Sequence, residues 1–149
     1  MAHMGGSASE EIDAPVQEVW AVVEDVASAP EWQGGLVGIT ALERDDEGRA
    51  TLVETENDIK VRRVKTIVRF FYDGPTRLSW KQEKGDLKSV DGAWVLEDLG
   101  GGRTRETYEL DSDPGRVLGM LIRGPVEAAT RSMLVNARPG ELKQRVEGG

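Results

Sequence analysis

The stretch KVRRVKTIVRFFYDGPTRLSWKQEKGD, residues 60–86, decides the reading of this chain. Its first half alternates. Val64, Thr66, Val68, Phe70 and Tyr72 fall in one phase, while Arg63, Lys65 and Arg69 fall in the other. A period of two belongs to a strand with one apolar and one wet face. Asp73-Gly74-Pro75 supplies a turn, and Leu78, Trp80 and Gln82 share a phase in the run beyond it. Two β-capable runs around a turn signal predict an antiparallel hairpin.

Outward from the hairpin the same grammar repeats. It predicts strands over 36–44, 49–57, 60–72, 77–84, 88–98 and 103–110, separated by Asp45-Asp46-Glu47-Gly48, Asn57-Asp58, Gly85-Asp86 and Gly100-Gly101-Gly102. Val90, Gly92, Trp94 and Leu96 share a phase, as do Thr104, Glu106, Tyr108 and Leu110. A meander with one apolar face must bury that face under something else. Upstream, Ser7 to Ile12 reads as a weak first strand. Asp13 is a candidate helix cap and Pro15 suits a first helical turn, ahead of Val16, Val19, Trp20, Val23 and Val26 at helical spacing. Ser28-Ala29-Pro30 breaks that helix, and a second short one runs through Glu31 and Trp32. Downstream, Asp111 to Gly115 reads as a turn. Leu118, Leu121, Ile122, Val126, Ala129 and Met133 then recur near helical spacing, with breaks expected near Pro125 and Pro139. The fold class is therefore α+β. A curved antiparallel seven-stranded sheet wraps around a long C-terminal helix, with two short helices between strands 1 and 2.

At 149 residues the chain makes one domain, which we place at residues 5–147. Met1-Ala2-His3-Met4 reads as a cloning leader. There is no cysteine, and the single histidine sits in that leader. Disulfides, thiolate nucleophiles, zinc fingers, Ser-His-Asp triads and HExxH sites are excluded on composition. No metal site and no cofactor is expected. The net charge of −8 opposes nucleic-acid binding, which needs a basic surface. Apolar runs are too short for an integral membrane segment. No leader of signal-peptide type is read, so the expected compartment is the cytoplasm. The oligomeric state is not legible.

The stretch SASEEIDAPVQEVWAVVEDVASAPEW, residues 7–32, resembles the opening of the polyketide cyclase/dehydrase group of the START-like (Bet v 1-like, SRPBCC) superfamily. The IDAP turn at Ile12 to Pro15, Val19-Trp20, and the D-x-x-x-x-P-x-W segment from Asp25 to Trp32 carry the likeness. The stretches RLSWKQEKGDLKSVDGAWVLEDLGGGRTRETYEL and ELKQRVEG extend it over nearly the whole chain. The resemblance implies a helix-grip fold around a hydrophobic pocket. It spans aromatase/cyclases, lipid and sterol carriers and coenzyme Q-binding proteins. ATLVETEND, residues 50–58, departs from it in being more acidic and less aromatic.

The candidate site residues follow from the inward phases and the last helix. Thr55, Asn57, Val64, Val68, Phe70, Tyr72 and Leu78 are expected to line a ligand cavity from the strands. Trp80, Trp94 and Leu96 join them, with Leu118, Ile122, Val126 and Met133 from the helix. Trp20 and Trp32 read as packing between helix and sheet. Glu106 is a carboxylate among apolar neighbours, and such a group is paired or has a raised pKa suited to acid/base work. Arg62 shares the phase of Val64 and is a candidate charge stabiliser. Tyr108 is a candidate hydrogen-bonding phenol. Three readings stay open at this stage. The favoured one is a carrier of a small hydrophobic ligand: a lipid, polyketide, isoprenoid or aromatic compound. The second is a cofactor-independent cyclase, aromatase or dehydratase using Glu106, Tyr108 and Arg62. The third is a protein-interaction module with a vestigial pocket.

Overall fold

The structure, a computed structural model, describes residues 4–148. Met1-Ala2-His3 of the expected leader lies outside the described residues. Met4 opens β1 (Met4–Ile12) and is buried. The meander follows as β2 (Leu36–Arg44), β3 (Ala50–Asp58), β4 (Arg63–Asp73), β5 (Arg77–Gly85), β6 (Ser89–Gly100) and β7 (Arg103–Asp113). All pairings are antiparallel, in the order β1-β7-β6-β5-β4-β3-β2. The first strand thus closes onto the last, and the seven-stranded sheet curls around the helices as expected.

α1 (Val16–Glu24) buries Val16, Val19, Trp20 and Val23 along one stripe. Two local expectations at its ends are corrected. Asp13 makes no side-chain cap; its backbone N–H instead donates to Glu147 Oε2 at 2.9 Å. The second short helix is a 3₁₀ turn, Val26–Glu31, that starts earlier and carries Pro30 inside it. Ser28 Oγ donates to Asp25 Oδ2 at 2.6 Å and stabilises this tighter winding. After β7, which runs three residues beyond its expected end at Leu110, come α2 (Gly115–Leu121), α3 (Pro125–Arg131) and α4 (Arg138–Gly148).

The break before Pro125 is where it was expected, at residues 122–124, with Gly124 at φ 57°. The second interruption takes another form. Pro139 has no N–H and its ring crowds the carbonyl four residues back. The backbone responds upstream with a π turn, Ser132–Asn136, in which Ala137 N–H reaches Ser132 O at 2.9 Å. α3 and α4 therefore run on as one long C-terminal helix widened at its middle.

Val64, Thr66 and Val68 of β4, Leu78 of β5 and Trp94 and Leu96 of β6 are buried on the concave face. In β3 the inward phase is Val53, Thr55 and Asn57, which the sequence left ambiguous. Rings line up across the strands. Phe70 lies opposite Trp80, Trp80 opposite Gly92, and Trp94 opposite Tyr108. The centroid of Trp80 is 5.7 Å from Phe70 and 5.6 Å from Tyr108. Gly92 makes this ladder possible. A Cβ there would sit 2.4 Å from the Trp80 indole, so only glycine lets the ring lie across β6. Gly92→Ala is expected to lower stability by about 1–3 kcal/mol through overpacking. Urea unfolding checks this; a variant as stable as wild type would mean the indole moves aside freely.

Candidate functional site

The sheet is wider than the helices that cover it, and the remainder is a cavity. It offers about 150 Å³ to the centres of water-sized molecules. At ~10–15 Å³ per water on that measure, this is room for roughly ten waters. Their liquid volume, about 300 Å³, is at the lower end of small-molecule sites.

Ten of the expected residues line it: Thr55, Asn57, Val64, Val68, Phe70 and Leu78, with Trp80, Trp94, Tyr108 and Ile122. Polar groups on this wall mostly have partners. Thr55 and Thr66 share a hydroxyl–hydroxyl bond of 2.8 Å, and Ser112 Oγ donates to Met4 O at 2.6 Å. The wall also has members that the strand pattern could not supply. Val26, Ala29, Trp32 and Gln33 come from the 3₁₀ turn and its exit, and Ile59 from the β3–β4 loop. Met4, Leu134 and Arg138 complete it from the two ends of the chain. Trp32, read as packing, thus faces the cavity, with its ring centroid 6.0 Å from that of Trp94.

Several expectations are corrected by position. Arg62 is exposed, because β4 starts one residue later. The chain before it makes a tight loop, closed by Ile59 N–H to Arg62 O at 3.1 Å, with Lys60 at φ 77°. The loop breaks the alternation that put Arg62 in phase with Val64, and Ile59 turns inward instead. Tyr72 is engaged elsewhere: its hydroxyl donates to Ala50 O at 2.5 Å and Arg49 stacks 4.5 Å over its ring. Burial pushes its phenol up to about 12. Leu96 and Leu118 are buried in the core but off the cavity wall. Met133 packs against the core at Gly35, and Val126 is exposed at the start of α3. The helix breaks rotate these last positions out of the expected stripe.

Glu106 faces the concave side but does not reach the cavity. It lies opposite Glu10 of β1 and Leu96 of β6, on the part of the sheet that α4 covers. It is 0% exposed, and neither carboxylate oxygen has a hydrogen-bond partner among the described residues. Burial, reinforced by the Glu10 charge and only partly opposed by Lys143, raises its pKa to about 9. The group is therefore a protonated, neutral side chain at pH 7. It is not a base within reach of a ligand in the cavity.

Besides Tyr108, two ionisable side chains line the cavity, Asp25 and Arg138. Arg138 is 3% exposed. Its Nη1 donates to Gly34 O at 2.7 Å and to Glu141 Oε1 at 2.9 Å, while Glu141 Oε2 accepts Gly34 N–H at 2.9 Å. Burial raises the Tyr108 phenol, and the Arg138 guanidinium beside it pulls the other way. Arginine on a helix is normally solvated, so nothing in the sequence marked this one. Among the described residues no cluster of three or more His, Cys, Asp or Glu side chains could hold a metal ion.

A curved sheet closed on a long C-terminal helix, with a cavity between them, defines the helix-grip class. Within that class the profile of the family described as polyketide cyclase / dehydrase and lipid transport matches residues 12–137. The chain belongs to that family. Among solved structures it is similar to a START superfamily protein from Mycobacterium smegmatis, at 21% identity and TM-score 0.81, with 99% of each chain covered. It is also similar to a protein from Thermus thermophilus, at 17% identity and TM-score 0.81, covering 99% of this chain and 98% of that one. The Zhui aromatase/cyclase from a Streptomyces species aligns at 17% identity and TM-score 0.78, over 98% of this chain and 94% of that one. No curated protein matches the chain in sequence. Among the described residues no helix is long and apolar enough to cross a membrane.

Glu106 has a consequence for stability. Its folded value of about 9 stands above the ordinary 4.5, so the folded state holds a proton that the unfolded state releases. Stability from this group is whole below pH 4.5 and is lost as pH rises toward about 9. At pH 7 the loss is about 3 kcal/mol from the linkage slope of ~1.4 kcal/mol per unit. Glu106→Gln is expected to flatten the decline between pH 5 and pH 9. Urea unfolding of both proteins across that range measures it, and parallel curves would refute the assignment.

Proposed function

We propose that this protein binds a small hydrophobic ligand in the cavity between the sheet and the C-terminal helix. One observation carries the reading: the Phe70, Trp80, Tyr108 and Trp94 ladder faces enclosed space on the concave side. Aromatic surface turned toward a cavity loses packing that a ligand restores. The driving force is apolar burial in a largely preformed site. A cyclase reading requires an acid/base group against the substrate. Glu106 lies off the cavity wall, and Arg62 is in solvent on a loop. Tyr108 is the one member of that trio on the wall, and burial holds its proton more tightly. A carrier needs none of these groups, and so the geometry favours it.

N-phenyl-1-naphthylamine, a neutral fluorescent probe, is expected to bind with a micromolar Kd and one-site saturation. Ile39→Trp, which fills the cavity from β2, is expected to weaken it at least tenfold while the circular dichroism spectrum is kept. Fluorescence titration reads both. Absence of saturable binding to the wild-type protein would end the proposal.

A further inference from the structure

Chain topology sorts the connections between strands to the two ends of the sheet. In an antiparallel meander the β3–β4 loop, the β5–β6 loop and the β7–α2 junction fall at one end. The β2–β3, β4–β5 and β6–β7 turns fall at the other, which is acidic through Asp45-Asp46-Glu47, Asp73 and Asp98. Arg49, Arg77 and Arg103 near that end are held in ion pairs. The first end carries Lys60 and Arg62 before β4, Lys88 before β6, and Arg116 and Arg123 around α2. Its acids are engaged with the backbone. Asp58 accepts Lys60 N–H at 2.9 Å, Asp86 accepts Lys65 N–H at 2.8 Å and Asp113 accepts Gly115 N–H at 2.9 Å. Lys88 pairs with Asp113, whereas the exposed Lys60, Arg62, Arg116 and Arg123 have no ion pair among the described residues. A chain of net charge −8 thus gathers uncompensated cations at one end.

Apolar side chains stand among these cations. Leu118 of α2 and Ile122 just beyond it are buried in one core cluster with Ile59 of the β3–β4 loop. Val117, Met120 and Leu121, at i, i+3 and i+4, form the opposite face of α2 and are 73%, 59% and 49% exposed. Val61, between Lys60 and Arg62, is exposed as well. A surface helix normally turns a polar face to water, and one that is apolar all round needs apolar cover on both sides. Here the sheet covers one side only.

We infer that this end of the molecule docks on an anionic lipid surface, with Val117, Met120 and Leu121 set among the headgroups and Arg116 and Arg123 against lipid phosphates. Charge and chemistry choose this occupant. A two-fold contact between copies would set Arg116 and Arg123 against themselves. A bilayer surface offers hydrocarbon beneath a layer of phosphates, which matches aliphatic tips flanked by cations. The acidic remainder of the chain does not oppose the contact. Strands of 9 to 12 residues separate the two ends. At ~3.3 Å per residue that is roughly 30 Å or more, several times the Debye length of ~8 Å at physiological salt. Docking of this kind is independent of what the cavity holds, so it stands or falls apart from the ligand reading.

Co-sedimentation of the full chain with vesicles tests this. Vesicles of phosphatidylcholine and phosphatidylserine, mixed about three to one, are expected to bind the protein, and vesicles of phosphatidylcholine alone to leave it in solution. Raised salt is expected to weaken the binding. Arg116→Gln with Arg123→Gln, and separately Met120→Gln with Leu121→Gln, are each expected to cut the partition coefficient about tenfold or more, at roughly fivefold per cation near the surface. All four positions are exposed, so both double variants are expected to keep the wild-type circular dichroism spectrum. Arg77→Gln, at the other end, is expected to bind as wild type does. The chain has no cysteine, so Met120→Cys and Leu99→Cys each give a single site for an environment-sensitive dye. The dye at 120 is expected to shift to the blue on vesicles, and the dye at 99, at the acidic end, to stay unchanged. Ile39→Trp, with its cavity filled, is expected to bind vesicles normally. Failure to bind the mixed vesicles would overturn the inference, and so would binding that neither double variant weakens. Equal binding to phosphatidylcholine alone would refute the role of the cations. Self-association without vesicle binding, abolished by Met120→Gln with Leu121→Gln, would give the surface to a second copy and overturn it too.

Discussion

Both backbone groups of Gly34 are held by a single ion pair from the C-terminal helix. Arg138 takes its carbonyl and Glu141 takes its N–H, and the two side chains are joined to each other at 2.9 Å. A Cβ at Gly34 would lie 2.8 Å from Glu141 Oε2, so the approach is as close as the backbone permits. The pair is local on α4, at i and i+3, and long-range to its target, more than a hundred residues away. It fixes where the helix stands against the segment joining the 3₁₀ turn to β2. A buried ion pair of this kind contributes little net stability, since its desolvation offsets most of the attraction. What it does here is set position. The helix cannot slide along the sheet without leaving a guanidinium and a carboxylate unpaired.

The position of α4 then decides how the concave face is divided. One part is covered by α4, which packs on β1 and β7 with Leu142 and Pro139 fully buried and Leu142 in one core cluster with Ile12. The other part is roofed by the shorter pieces, the 3₁₀ turn and the stretch through Ile122 and Leu134, with α4 contributing its first residue, Arg138, and it stays hollow. The π turn belongs to the same arrangement. Pro139 disrupts the regular ladder one residue after Arg138, and the widened turn upstream carries Leu134 toward the cavity. The helix irregularities and the cavity are thus two results of the same local chemistry.

This division explains what could be read in advance. The strands were legible because alternation and turn residues are local: β2 runs over its expected span, and the other meander strands start or end within a few residues of theirs. The family likeness rests on the same local signals plus the IDAP and D-x-x-x-x-P-x-W segments. Of the site, the strand-borne wall was legible wherever alternation held. It failed at Arg62, where a loop with a left-handed residue reset the phase. It failed again at Val126 and Met133, because a single helical period cannot be carried across a break at 122–124 and a π turn. Trp32 and Arg138 were out of reach for another reason. Their roles depend on contacts across the chain, Arg138 to Gly34 and Trp32 to Trp94, that no window of sequence contains.

β7 shows the limit most plainly. Thr104, Glu106, Tyr108, Leu110 and Ser112 all point to the concave side, in one unbroken phase. Thr104 donates to Ala14 O and is sealed beside the start of α1. Glu106 is sealed beneath α4, its oxygens without a hydrogen-bond partner among the described residues. Tyr108, one pleat further and about 7 Å along the strand, is on the cavity wall with Leu110 and Ser112. Alternation states which face a side chain takes; it says nothing about what covers that face. For Glu106 and Tyr108 the difference between a buried neutral acid and a cavity-lining tyrosine is one step of two residues. That step falls where the edge of α4 falls, and the Gly34 clamp holds the edge there. A carboxylate in the inward phase therefore reports a catalytic acid only if the helix stops short of it, and in this protein the helix does not.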